Sequence, residues 1–233
     1  LKDDLLDRDT RAGCLVFAAD MLQLEGARAF LAHFPHHSRF WTIYFESLTS
    51  TIHGMVRVDS MQRFRTGSVA ALLKEYGRVC GIFRIGAAAV CARYSGMRDY
   101  RHAVRFWDEM AVASQLLDDL EDLDEDWYRG RYNSIVRIML AGRSSVFPGR
   151  GPGLAAVKGK LAAGGIDRIA RMLIRRIDRA EAALNQIRDD LPYPGLRDFR
   201  RDIDRMRRAV HRERVRAFFS GARRARKRSP LPA

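Results

Sequence analysis

Residues 115–132 read Gln-Leu-Leu-Asp-Asp-Leu-Glu-Asp-Leu-Asp-Glu-Asp-Trp-Tyr-Arg-Gly-Arg-Tyr. Seven acids (Asp118, Asp119, Glu121, Asp122, Asp124, Glu125, Asp126) crowd this stretch, in a chain of net charge +14. No Gly or Pro interrupts it before Gly130, and the apolar residues upstream recur at helical spacing, so it reads as the end of a helix. Residues four apart share a helix face, which stacks Asp118, Asp122 and Asp126 into a ladder of carboxylates. Like charges in such a row repel, and acids late in a helix oppose its dipole. A bound cation would remove both penalties. The plainer reading of any acidic run is a solvated face.

Outward from this stretch, the whole chain reads as helices with short breaks. Helical spacing covers residues 14–34, 39–62, 67–94, 99–129, 154–190 and 196–219, and no segment alternates with a period of two. The expected fold class is all-α: a single helical bundle around a central cavity, over residues 1–221, followed by a basic disordered tail, 222–233. A hydrophobic content of 47% over 233 residues suffices for a sizeable core. Residues 142–153 form the one Gly/Pro-rich loop and lack the phosphate-cradling P-loop pattern.

Three cysteines without metal-ligand spacing, and no signal peptide, lead us to expect a reducing cytoplasm. Cys80 and Cys91 sit among small apolar residues, as core residues do. No apolar run reaches membrane-span length. His33, His36 and His37 crowd around Pro35, which suits a loop better than a metal site. The basic balance points to anionic partners.

A second acidic pattern opens the chain: Asp3-Asp4-x-x-Asp7, with Asp3 and Asp7 on one face if helical. Because this motif starts at the third residue, further helices are expected upstream of it. Two carboxylate ladders on facing helices could hold hard divalent cations, which take oxygen ligands and share them with phosphates. Arg78 and Arg84 lie within a largely apolar segment, where each requires an anionic partner or a path to solvent.

The pair Asp3-Asp4-x-x-Asp7 and Gln115-x-x-Asp118-Asp119-x-x-Asp122 resembles the two aspartate-rich motifs of the class I isoprenoid synthases: trans-prenyltransferases, squalene/phytoene synthases and terpene cyclases. The stretch from Asp122 to Tyr132 is similar to the DxxEDxxxGRxY of squalene/phytoene synthases, with Asp118 where they have Asn, and Arg78-Val79-Cys80-Gly81 resembles their RVAG segment. The Lys-Thr pair of the chain-elongating enzymes is missing, and their double Arg is reduced to Arg11-Ala12-Gly13. Ladder positions 118, 122 and 126 also match the spacing of the cyclases' metal triad, with Asp at all three. The branch therefore stays open.

The resemblance covers residues 3–132. It implies ionisation of an allylic prenyl diphosphate, with three Mg²⁺ ions bound alongside the diphosphate, and prenyl transfer, coupling or cyclisation. It implies Asp3, Asp4, Asp7, Asp118, Asp119, Asp122 and Asp126 as metal ligands. Arg78, Arg84, Arg131 and Tyr132 are the expected diphosphate contacts. Asp3, Asp7, Asp118 and Asp122 carry the catalytic role. From the residues themselves, the segment after Gly130 has two readings: a lid that closes over bound metal and diphosphate through Arg131 and Tyr132, or a structural role in which Arg131 offsets the acidic run at a helix C-terminus. Expected partners are the prenyl diphosphate, a second copy of the chain and, through the basic tail, a membrane surface; nucleic acid is not expected. The competing class is a non-enzymatic basic helical module binding nucleic acid or anionic membrane, which explains the charge but leaves both acidic motifs idle.

Overall fold

The structure, a computed structural model, describes residues 14–95, 97–140, 153–187 and 196–228, with side chains described over 21–95, 97–140, 153–187 and 198–214. These residues form helices and connecting turns, and no strand occurs among them. The all-α expectation holds. The chain divides into two compact units, Leu1–Phe45 and Glu46–Ala233.

The first unit contains α1 (Cys14–Leu31), a turn around Pro35 and the start of α2 (Arg39–Phe64). Its rings pack on one another. Phe34 stacks on Phe40 with centroids 4.2 Å apart, and Trp41 meets Tyr44 edge-on at 5.4 Å. The Trp41 indole donates to the Phe34 carbonyl, which gives that buried N–H its partner. His33, His36 and His37 are exposed on the turn.

The second unit is built on α5 (Tyr100–Glu121), which packs against α3 (Val69–Val79), α4 (Ile82–Tyr94), α7 (Ser134–Leu140) and α9 (Ile166–Leu184). Ala103, Phe106, Met110, Ala111, Val112, Ala113 and Leu116 are all buried on α5. They occupy more than one stripe, as a helix enclosed on several sides requires. Helix α9 has the opposite character: Ile169, Leu173, Ile177, Ala180 and Leu184 form one buried stripe at i, i+4, i+8, i+11, i+15, and Arg occupies much of the rest. Between α8 (Leu154–Lys160) and α9 lies a π turn, Leu161–Gly165. Helix α10 (Leu196–Arg228) packs on α9.

Three spans that read as unbroken helices are interrupted. The first break, at Cys80-Gly81, lets the α3–α4 junction touch α2: a Cβ on Gly81 would lie 2.8 Å from the Thr51 hydroxyl oxygen and 3.2 Å from the Ser47 carbonyl. The second falls at Asp122, between α5 and α6 (Leu123–Tyr128), and the third is the π turn. Conversely, helix continues to Arg228, across most of the stretch that reads as a disordered tail. Ala, Arg and Lys all propagate helix well, and from Leu196 onward the first Pro is Pro230.

One buried cation holds several of these elements. Arg137, 5% exposed, donates to the carbonyls of Met61, Thr66, Gly67 and Tyr132, and its guanidinium lies 4.9 Å from the Tyr132 ring centroid. Arg137 thereby caps carbonyls at the C-terminal end of α2. Cys91 is buried and Cys80 is half-buried. Among the described residues, no helix is long and apolar enough to cross a membrane.

Candidate active site

The acidic ladder straddles the α5–α6 break. Asp122 leaves helical geometry (φ −92°, ψ 12°), yet its N–H still donates to the Asp118 carbonyl at 2.8 Å, and the Asp126 N–H donates to Asp122 at 2.9 Å. The i, i+4 hydrogen bonding therefore survives the break, and so does the neighbourhood of the three carboxylates. The Asp118 carboxyl is held above the usual range, first by partial desolvation and then by the charges of Asp122, Asp126 and Glu121; the Gln115 amide, donating at 3.2 Å, pulls the other way.

The acids of the run divide by partner. Asp124 pairs with Lys158, and Glu125 with Arg129 at 2.8 Å. Asp119, 3% exposed, accepts the Tyr76 hydroxyl at 2.6 Å and the Ser134 amide at 2.9 Å. Burial pushes its carboxyl up to about 6, against the hydrogen bonds from Ser134 and Tyr76. Asp126 accepts the Asn133 side-chain amide at 2.8 Å. Asp118 and Asp122 are exposed, and among the described residues neither pairs with a cation. In a chain with so many arginines, these two carboxylates and the exposed Glu121 between them have no cationic partner among the described residues.

Below the ladder runs a buried polar network. Gln62 donates to the Tyr76 hydroxyl at 3.2 Å, and Tyr76 passes its own proton donor to Asp119. Asn133, fully buried, uses its whole amide: Oδ1 accepts from the Val136 N–H, and Nδ2 donates to the Asp119 carbonyl and the Asp126 carboxylate. Asn133 is thus the N-cap of α7 and the brace of the last ladder position at once. Its two donors could not come from an Asp.

Gly130 has φ +74° and closes α6 as a left-handed cap, as its place in the sequence suggests. Its N–H donates to the Trp127 carbonyl, and the Arg131 N–H reaches back to the Asp126 carbonyl at 2.8 Å, the paired bonds of a Schellman motif. The chain beyond is tied down rather than open. The Tyr132 N–H donates to the Gln62 carbonyl at 3.1 Å, and Asn133 and Ser134 are fully buried. A lid hinged at Gly130 is not the arrangement seen, because the residues after it supply the N-cap and first turn of α7.

Of the expected site residues, Asp118, Asp122 and Asp126 come together, with Asp119 beneath them. Asp3, Asp4 and Asp7 lie outside the described residues. Arg131 and Tyr132 are half-buried at the end of the run. The other two arginines are engaged with carboxylates. Arg78 donates to Glu75 at 3.1 Å, a buried acid that Arg57 also approaches at 3.3 Å, and Arg84 grips Asp108 at 2.7 Å. Among the described residues, no three His, Cys, Asp or Glu side chains are arranged as a metal-holding group.

Tyr76, Asn133 and Gln62 escape a reading based on acidic motifs. A faint signal exists for Asn133: a strong N-cap residue directly before the apolar run Ile135–Leu140. None exists for Tyr76, whose contact with Asp119 spans 43 positions in sequence. No family model, no curated protein and no solved structure matches the chain.

Proposed function

We propose that the chain is a Mg²⁺-dependent isoprenoid synthase that ionises an allylic prenyl diphosphate and transfers or couples the prenyl group. The observation that carries this reading is the exposed pair Asp118 and Asp122, without a cationic partner among the described residues of a strongly basic chain and braced from below by a buried network. The donor set fits Mg²⁺: it is all oxygen, and this ion is characteristically held by one or two carboxylates together with substrate phosphates. Bound there, Mg²⁺ would supply electrostatic stabilisation of the departing diphosphate.

Each residue then has a separate task. Asp118 and Asp122 offer the open carboxylates, and Asp126 stands beside them, oriented by Asn133. Asp119 belongs to the support, since its Oδ2 is already shared between Tyr76 and Ser134. Asp3, Asp4 and Asp7 enter through the resemblance of the two motifs. Arg131 and Tyr132, directly after the cap, are the nearest candidates in sequence for diphosphate oxygens, Arg through its planar fork. Arg78 and Arg84 could join only by leaving Glu75 and Asp108. Cyclisation to a terpene is the alternative outcome of the same ionisation.

The test is incubation of the full chain with allylic prenyl diphosphates of several lengths, with Mg²⁺ or with chelator. Products are extracted and identified by mass spectrometry. Mg²⁺-dependent diphosphate release with a coupled, elongated or cyclised product supports the reading and selects the branch. No release from any substrate overturns it.

A further inference from the structure

Helix α9 sorts its charges by flank. Its three acids all face α10 and are all taken: Asp167 by Arg214 at 2.8 Å, and Asp178 and Glu181 by Arg207 at 2.8 and 2.7 Å. Toward α5, Arg176 and Arg179 converge on Glu109 at 2.9 and 3.1 Å. Opposite the buried stripe remain Arg168, Arg171 and Arg175, three and four positions apart and so on one face. All three are exposed, and no described residue offers them a carboxylate.

The same pairings set α10 antiparallel to α9, because partners retreat from Glu181 to Asp167 as α10 advances from Arg207 to Arg214. Arg208 and Arg212, also exposed and also without a described acid, lie one turn apart on α10. Arginines in such rows repel one another and weaken the helix unless an anion lies across them. Every acid that could have interleaved α9's outward face sits on its flank instead.

We propose that this five-arginine strip is a docking surface for an anionic lipid bilayer. A fluid surface can gather its headgroups beneath guanidinium groups held on a rigid helix pair, so no fixed phosphate spacing is needed. No exposed large apolar side chain lies on α9 or on the described part of α10. The contact is therefore peripheral and electrostatic, without the apolar insertion of an interfacial helix. Single-stranded nucleic acid is the weaker match: the strip includes no aromatic side chain on which bases would stack. The inference rests on the strip alone and stands or falls independently of the prenyl diphosphate reading.

The experiment is sedimentation of the full chain with vesicles of phosphatidylcholine, with or without phosphatidylserine, at low and high salt. Binding is expected only to vesicles containing phosphatidylserine and is expected to fade with salt. Each arginine near such a surface is worth about fivefold, so Arg168→Gln/Arg171→Gln/Arg175→Gln should bind about a hundredfold more weakly. Arg171→Gln alone, which disturbs only one exposed side chain, should lose about fivefold. Arg223→Gln/Arg224→Gln/Arg226→Gln should keep most of the binding. The proposal is overturned if the wild-type chain ignores phosphatidylserine, or if the α9 variants bind as well as it does. It is equally overturned if the tail variant alone abolishes binding, or if duplex DNA binds more tightly than the vesicles and depends on the α9 arginines.

Discussion

The Asp119 carboxyl accepts two hydrogen bonds and still sits at about 6, because burial outweighs them. Unfolding returns it to the ordinary value near 3.8, so between those values the folded chain binds more protons than the unfolded one. Its contribution to stability is therefore full below about 3.8 and lost as pH rises through about 6, by an amount on the order of 3 kcal/mol. Asp119→Asn cannot titrate and still accepts from Tyr76 and Ser134. In urea unfolding of metal-free protein, the wild-type chain should lose stability relative to Asp119→Asn between pH about 4 and about 7. A constant difference across that range would mean that water reaches the carboxyl. Asn133 permits a similar separation of roles. Asn133→Ala loses both cap and brace and should cost about 1–3 kcal/mol. Asn133→Asp keeps the cap acceptor but sets a carboxylate against Asp126, so its cost should be relieved by Asp126→Asn; a double-mutant cycle with no coupling would contradict the brace.

At the level of elements, much was legible because the signals are local. Ser68 caps α3, its hydroxyl accepting the Ala71 N–H; Pro35 lies in the turn between α1 and α2; Gly130 ends α6. The helix breaks were less legible, since Gly81 is called for by its approach to Thr51 and Ser47, thirty and more positions upstream. The break at Asp122 has no Gly or Pro to announce it, and the chain shows only that repelling acids accumulate there. The anchoring of the segment after Gly130 was illegible for a related reason: Tyr132 and Asn133 are held by Gln62, Asp119 and Arg137, and a cap residue does not reveal what lies across from the segment it releases. Gly130 can be tested directly. A Cβ there would meet nothing within 4 Å, so only the positive φ opposes substitution. Gly130→Ala should cost about 1–2 kcal/mol, and Gly130→Asn, which tolerates this geometry, should cost less. Equal stability of all three in chemical denaturation would place the cap in a segment already frayed.

Across the whole molecule the basic excess is distributed by neutralisation. Among the described residues, Glu75, Asp108, Glu109, Asp167, Asp178 and Glu181 each take an arginine and Asp124 takes a lysine, whereas Asp118, Glu121 and Asp122 in the acidic run take none, as Glu46 and Asp204 do not elsewhere. With so many cations present, leaving neighbouring carboxylates without a partner among the described residues works against the folded state unless a ligand compensates. A ligand that binds only the folded chain raises its stability by RT ln(1 + [L]/Kd), about 2.7 kcal/mol at a hundred times Kd. For a domain of this size that corresponds to about 5–10 °C in Tm. Mg²⁺ together with inorganic diphosphate should produce such a rise in a thermal scan, and either component alone should produce much less. Asp122→Asn removes one of the unpaired charges of the acidic run. Without ligand its Tm should equal or slightly exceed that of the wild-type chain, since the Asp118–Asp122 repulsion is relieved. With Mg²⁺ and diphosphate it should gain little. Asp124→Asn serves as the comparison: it is close in sequence, but its carboxylate is already paired with Lys158, so the ligand-induced rise should survive. If both variants respond to Mg²⁺ and diphosphate as the wild-type chain does, the ladder is a solvated face and the diphosphate site is elsewhere in the molecule.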